Sequence, residues 1–529
     1  MKNTILILLL MLGLTNCQHF EELNIDPAQP TQTEIDKVIT NVEALMSGSR
    51  ESIWGYNYTF GMGITQQLAG QWAIGQGSVY HKASYLMDRL WNTHYEYIQN
   101  LRIALHDVKG QPDMQNHYIV ANTLMIYLFA QLTDTYGDIP YFQAGKGYLE
   151  ELYFPEYDAQ EEIYNHFFEE LQAMHNQIAQ GSQGNVKGDV FFNGNMQKWQ
   201  RLINSLHLRL ALRLVHVNEA KAKEEASKAI QAGLMQSNED MLVMRHENFP
   251  YSAGLDELRG NGLSQTFHFG GAERICSTFS DMLYHKNDPR LTIMFGVFQG
   301  DAFTGSIDVT EEFGKYLGHP AGYFLWDVPN KNPTDTVIIE DGTKLPLEYV
   351  DQLLQARREM TRLDAPYVHM TYTEVELLQA EAAHRWQVTG EPAAVHYEKA
   401  LRAHEVMLRE VYGCPPSLNG DMDTYLEEYP LTTGQELRQI NEQLYINHFL
   451  NGQEAFANWR RSGYPELKVA PPTGDMDPEL NGRIPRSFEY PNDELTYNGE
   501  NVRKALDGKR NFWGNTVWWD TDPMRGVLP

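Results

Sequence analysis

The sequence predicts a mostly α protein: a scaffold of tetratricopeptide-like helix pairs carrying a loop-rich second subdomain with a little β structure. Three observations predict it. Apolar residues recur at helical spacing in segment after segment. Most of these segments run roughly 15 to 20 residues and come two by two, as in tetratricopeptide-type repeats, although no strict repeat signature is present. Finally, Gly, Pro, Asn and aromatic residues crowd the stretches from about 241 to 351 and from 469 to 529, where the helical period is lost.

The elements follow in order. Thr33-Glu34-Ile35-Asp36 reads as a capping box. Behind it Ile35, Val38, Ile39, Val42, Leu45 and Met46 form one apolar stripe. Trp54 to Tyr80 is rich in Gly and aromatics with no clean period, and is expected to be a long irregular, functional segment. Tyr85–His106 pairs with the stripe of Ala121, Leu124, Met125, Leu128, Phe129 and Leu132. A stripe from Ile163 to Ile178 precedes Trp199–Val217. Further pairs are Tyr372–Trp386 with Ala393–Tyr412, and Glu436–Leu450 with Gln453–Arg460. Within the irregular part, Thr336–Glu340 reads as a strand. Rigid helix pairs under long loops place binding residues on the loops.

The N-terminus reads as an address. Lys2 precedes an apolar run from Ile5 to Leu14, far shorter than the roughly twenty residues of a membrane span. Leu14-Thr15-Asn16-Cys17 resembles a bacterial lipobox, departing from it at Asn16. Residues 1–16 are therefore expected to be a lipoprotein signal peptide, and Cys17 the lipidated residue. Residues 17–30 form a tether reaching at most ~40 Å, and 31–529 a single domain. The alternative is an ordinary signal peptide with a chance cysteine; export follows from both readings.

With 42 basic and 70 acidic residues the chain carries a formal charge of −28, which argues against a nucleic-acid partner. Cys276 and Cys414 are either one disulfide or two buried thiols. His246-Glu247 and His404-Glu405 lack the second histidine of a zinc-protease motif, and no nucleophile elbow or phosphate-binding loop is found. Asp421-Met422-Asp423 and Asp475-Met476-Asp477 alternate acids as calcium loops do without completing the pattern, so neither metal nor cofactor is expected. A distant carboxylate pair would escape detection, which leaves an exported helical glycoside hydrolase as the enzymatic alternative.

Several motifs, taken in order along the chain, resemble those of one protein family. Phe20 to Pro30, with Asn24-Ile25-Asp26-Pro27, is similar to the family's opening, and Glu21-Glu22 is similar to a surface-export signal. Leu132 through Tyr141 resembles its Asp-x-Tyr-Gly-Asp-x-Pro-Tyr turn. Trp199 to Arg213 resembles its basic helix, and Met370 to Ala382 another. Trp459-Arg460-Arg461-Ser462-Gly463-Tyr464-Pro465, then Ile484-Pro485-Arg486, Tyr490-Pro491 and Trp518-Trp519-Asp520 resemble its C-terminal block. Together these segments resemble the SusD/RagB family of Bacteroidetes outer-membrane lipoproteins. Read physically, these residues report fold: Arg209 and Arg213 share a helix face and suit pairing with acids on a neighbouring helix.

The resemblance implies an outer-membrane, lipid-anchored protein facing outwards. It implies capture of a glycan, or alternatively a peptide, for delivery to a TonB-dependent SusC-like transporter, without catalysis or cofactor. Ligand residues are then expected in segments like Trp54–Tyr80 and Leu263–Trp326. Trp72, Tyr80, Phe269 and Trp326 are the candidate stacking residues, with Gln71 and Asn261 as polar companions.

Overall fold

The computed structural model describes residues 34–249, 258–270, 273–301, 305–329, 331, 333–468 and 476–521. Cys17, the signal peptide, the tether and Asn24-Ile25-Asp26-Pro27 lie outside the described residues, as does Thr33 of the expected capping box. Ten long helices form the scaffold: α1 Ile35–Gly48, α2 Ser84–Val108, α3 Gln115–Tyr136, α4 Gln160–Ala179 and α5 Met196–Arg213. They continue as α6 Glu219–Ala232, α7 Tyr372–Trp386, α8 Ala393–Val406, α9 Glu436–Asn447 and α10 Gly452–Ser462. Consecutive helices pack as pairs: α2 on α3, α4 on α5, α7 on α8 and α9 on α10, as the sequence predicts, and also α5 on α6, whose helix the sequence reading did not name.

Side-chain caps fix several helix starts. Asn195 accepts the N–H groups of Gln197 and Lys198 at α5, Asn218 that of Lys221 at α6, and Thr371 that of Glu374 at α7. At α1, by contrast, Glu34 occupies the cap position without a capping bond, and Asp36 accepts the N–H of Gly188 at 2.9 Å. Helix α3 is apolar on nearly every side and accordingly runs through the middle of the scaffold, with almost every residue buried. It ends at Gly137, whose φ of +88° breaks the helix, and Asp138 then accepts the N–H of Gln160 at 2.9 Å to start α4.

Buried ion pairs lock the helices together. Arg209 on α5 makes a fork to Glu374 on α7, at 2.6 and 2.7 Å. Arg213, one turn on, contacts Asp134 of α3 at 3.2 Å and Glu454 of α10. Arg461 of α10 grips both oxygens of Glu381 on α7, at 2.8 and 2.9 Å. The C-terminal block closes over this end. Arg486 pairs with Asp520, its guanidinium lies 4.8 Å from the Trp459 ring, and Trp519 donates to Asp134 at 2.9 Å. The sequence motifs at positions 459–461, 484–486 and 518–520 are thus one buried lattice of cations, acids and rings.

Among the described residues, the second part is built on five two-stranded antiparallel pairs. Leu68–Gly70 joins Glu273–Ile275, Leu242–Met244 joins Tyr367–Met370, and Phe295–Gly296 joins Gln355–Ala356. Phe298–Asp301 pairs with Gly305–Asp308, and Asp335–Ile338, the expected strand, pairs with Lys344–Leu347. Each part has its own apolar core, and Trp54, Phe191 and Tyr372 pack against both.

The Gly-rich segment corrects the sequence reading. Trp54–Met62 is a buried π-helix, not a loop, and Trp72–Ser78 is a short helix. Its glycines are contact points: a Cβ on Gly55 would lie 2.0 Å from the Leu86 carbonyl oxygen, and one on Gly77 1.7 Å from that of Thr59. Residues 55–62 are aperiodic because they are buried on all sides. Likewise, the stretch 263–326 is not continuous loop; it holds helices Gly262–Gly270, Ser277–Tyr284 and Arg290–Met294 between short strands.

Candidate functional site

The turn leading into Leu68–Gly70 is pinned by Gln66. Its amide donates to Tyr80 Oη at 2.9 Å and accepts from Thr278 Oγ1 at 2.6 Å and the Lys468 N–H at 3.1 Å. Past the strand, the chain turns outward through Gln71 and Trp72 into helix Trp72–Ser78. From the other side, the turn at Phe324–Asp327 docks on the same strand end, where the Leu325 N–H donates to the Gly70 carbonyl at 2.9 Å. Phe324 lies so close to Gly75 that a Cβ there would stand 2.5 Å from its ring.

This docking places two exposed tryptophans within a few residues of one hydrogen bond, and they make up the candidate rim. Trp72, two residues past Gly70, is 72% exposed, and Trp326, one past Leu325, is 53% exposed. No other described tryptophan shows such exposure. Large apolar rings left in water mark binding surfaces more often than chance. Trp72 also adopts φ +55°, a left-handed conformation unusual for a bulky residue and characteristic of ligand clamps. Lys331 lies 5.9 Å from the Trp326 ring and donates to its carbonyl.

Two amides accompany the rings. The Oε1 atoms of Gln71 and Gln76 are buried yet have no hydrogen-bond partner among the described residues. Buried acceptors are normally satisfied, and these two, enclosed in the fold, are exceptions. Sequence reasoning named Gln71 and missed Gln76; its signal was the four-residue spacing from Trp72, one helical turn.

The other candidates sit elsewhere. Tyr80 is fully buried, its hydroxyl held by Gln66, and burial pushes its pKa well up. Asn261 is 3% exposed and caps a helix: Oδ1 accepts the N–H groups of Leu263 and Ser264, and Nδ2 donates to the Ala365 carbonyl. Both side chains are committed to the fold, because a ring or amide inside a core reaches no ligand. Phe269 falls in helix Gly262–Gly270, and its side chain lies outside the described residues.

Other motifs resolve the same way. Cys276 and Cys414 are separate buried thiols, not a disulfide, with pKa values pushed by burial up to about 11 and about 12. Asp421 caps helix Met422–Glu428 and Asp423 pairs with Arg402. Asp477 accepts from the Glu479 N–H at 3.0 Å and from Trp513 Nε1 at 2.8 Å. Asp475 lies outside the described residues. Among the described residues no helix is long and apolar enough to cross a membrane.

A family model described as "Starch-binding associating with outer membrane", of SusD-like proteins, matches residues 27–491. A chitin-binding protein of known structure is 32% identical, with a TM-score of 0.79 over 92% of this chain and 100% of its own. A Bacteroidetes SusD-like structure is 28% identical, with a TM-score of 0.82 over 93% of this chain and 100% of its own. A SusD homologue from Bacteroides fragilis, at 19% identity and a TM-score of 0.72 over 92% of this chain and 100% of its own, shares the fold. A search of curated sequences returns no match. Matched along most of its length, the chain belongs to the SusD-like family of glycan-binding proteins that associate with the outer membrane.

Proposed function

We propose that this chain is a cell-surface lipoprotein, anchored through Cys17, that captures an oligosaccharide and hands it to a TonB-dependent SusC-like transporter. The observation carrying the ligand class is the pair of exposed tryptophans, Trp72 and Trp326, on segments joined by the Leu325–Gly70 hydrogen bond, with the amides of Gln71 and Gln76 close by in the chain. Flat rings cover the apolar faces of pyranoses, and uncharged amides bond hydroxyl or acetamido groups without demanding charge on the ligand. The 32% identity to a chitin-binding protein makes oligomers of N-acetylglucosamine the first candidates. Binding without turnover is the proposed chemistry, in line with a family model described as starch-binding.

Titration of the protein lacking residues 1–17 with N-acetylchitohexaose, maltohexaose and a peptide library tests this reading. Saturable glycan binding that quenches tryptophan fluorescence and weakens in Trp72→Ala and Trp326→Ala supports it. Peptide binding in place of glycan binding, or hydrolysis of the glycans by the pure protein, would overturn it. Co-purification with a large β-barrel, lost in Cys17→Ala membranes, tests the anchor and the partner together.

A further inference from the structure

A second concavity is lined by neither of the two tryptophans. It is a groove of about 490 Å3, within the range of small-ligand sites, between helix Ser277–Tyr284, α9 and the segment 422–432. Its floor is aromatic. Tyr397 and Tyr425 are buried there, and Tyr429, half-buried, lies against Tyr425 with ring centroids 5.3 Å apart. Beneath them Arg290 is tied to Asp288 and to Gln443, whose amide lies 3.4 Å from Tyr425 Oη, so the floor is rigid.

Its charges cancel locally. Lys286 and Arg438 both bind Glu442, at 2.7 and 2.8 Å. Arg438 also reaches Glu466 at 4.0 Å, and Lys468 reaches Asp281 at 3.8 Å. Three cations therefore meet three carboxylates, and a charged ligand would have to break an existing pair. What remains free for a ligand is the Tyr429 face and the exposed amide of Gln435, which makes no capping bond at the start of α9.

From this geometry we infer that the groove is a second binding subsite for a neutral, polyhydroxylated ligand such as an uncharged oligosaccharide. The aromatic floor takes a sugar face, and the paired charges and amides take hydroxyls. The subsite stands within reach of the rim. Thr278 and Lys468, both on the groove wall, hydrogen-bond Gln66, and Trp72 follows Gln66 by six residues, hence within ~22 Å. One extended oligosaccharide can engage both places, although the groove does not depend on the tryptophans.

The test uses the purified Trp72→Ala/Trp326→Ala protein, in which the rim is disabled. It is titrated by calorimetry with maltohexaose, cellohexaose and N-acetylchitohexaose, and with hexagalacturonate as the charged control. At least one neutral hexamer should still bind, and Tyr429→Ala or Met282→Trp, which fills the mouth, should weaken it by about tenfold or more. Gln435→Ala, at an exposed position, gives a third variant that leaves the fold untouched, and thermal melts check all three. Absence of binding by every neutral hexamer, binding indifferent to these variants, or tighter binding of hexagalacturonate would each overturn the proposal.

Discussion

Stability and binding are expected to separate at Trp72. Its φ of +55° costs an L-residue roughly 1–2 kcal/mol, a cost that glycine escapes. Trp72→Ala and Trp72→Gly delete the same ring, so their difference isolates the backbone. Glycine regains that roughly 1–2 kcal/mol and gives back about 0.5–1 kcal/mol through its freer unfolded chain. The glycine variant should therefore be the more stable by roughly 0.5–1 kcal/mol, the reverse of the usual helix order, in which alanine leads by about 1 kcal/mol. Binding should fall equally in both. A ring 72% exposed offers on the order of 180 Å2, and a sugar covering half of it removes about 90 Å2 from water. At ~25 cal/mol per Å2 that is about 2 kcal/mol, or ~30-fold in Kd. Urea denaturation followed by circular dichroism measures the first effect and calorimetric titration the second. An alanine variant as stable as the glycine variant would refute the backbone argument; an unchanged Kd in both would refute the stacking role.

Further outcomes follow from the buried groups. Arg209→Met strands Glu374 in the scaffold and should cost roughly 3–5 kcal/mol, much of it recovered in Arg209→Met/Glu374→Met; denaturation midpoints of the two variants decide. Burial alone would raise the pKa of Glu454, but Arg213 and Arg209 beside it prevail and hold it at about 2. A carboxylate depressed in the fold stabilises above its unfolded value and loses that stability as protons bind, so the melting temperature should fall steadily from about pH 4.5 to about pH 2. A melting temperature flat across that window would exclude it. Gly77→Ala forces a methyl onto the Thr59 carbonyl, so it should both destabilise the protein by roughly 1–3 kcal/mol and weaken glycan binding by displacing the Trp72 helix; a melt matching wild type would contradict the packing. Cys276 and Cys414 should react with a thiol reagent only after denaturation, which absorbance at neutral pH checks directly.

The scaffold was legible because an amphipathic helix writes its period into the chain. The segments around 85–106, 163–178, 372–386 and 436–450 needed only their apolar spacing to be found. The pairing of Arg209 and Arg213 with acids was legible as a requirement, since two arginines on one buried face must be neutralised. Their partners, Glu374, Asp134 and Glu454, come from three other helices and were not. The same limit hid the buried π-helix Trp54–Met62, because a segment enclosed on all sides carries no polar face to set a period.

The sequence by itself determined the helical architecture, the family motifs, and a short set of aromatic and amide residues suited to a neutral ligand. Only the tertiary structure decided which of them face water. Tyr80 and Trp72 look alike in the chain, yet one ring closes the core and the other stands in solvent. Asn261 is buried as a helix cap, while Gln71 is only half-buried. Exposure is a property of what packs against a residue, and the segments carrying Trp72 and Trp326 come together only because the chain folds Leu325 back onto Gly70 from 255 positions away.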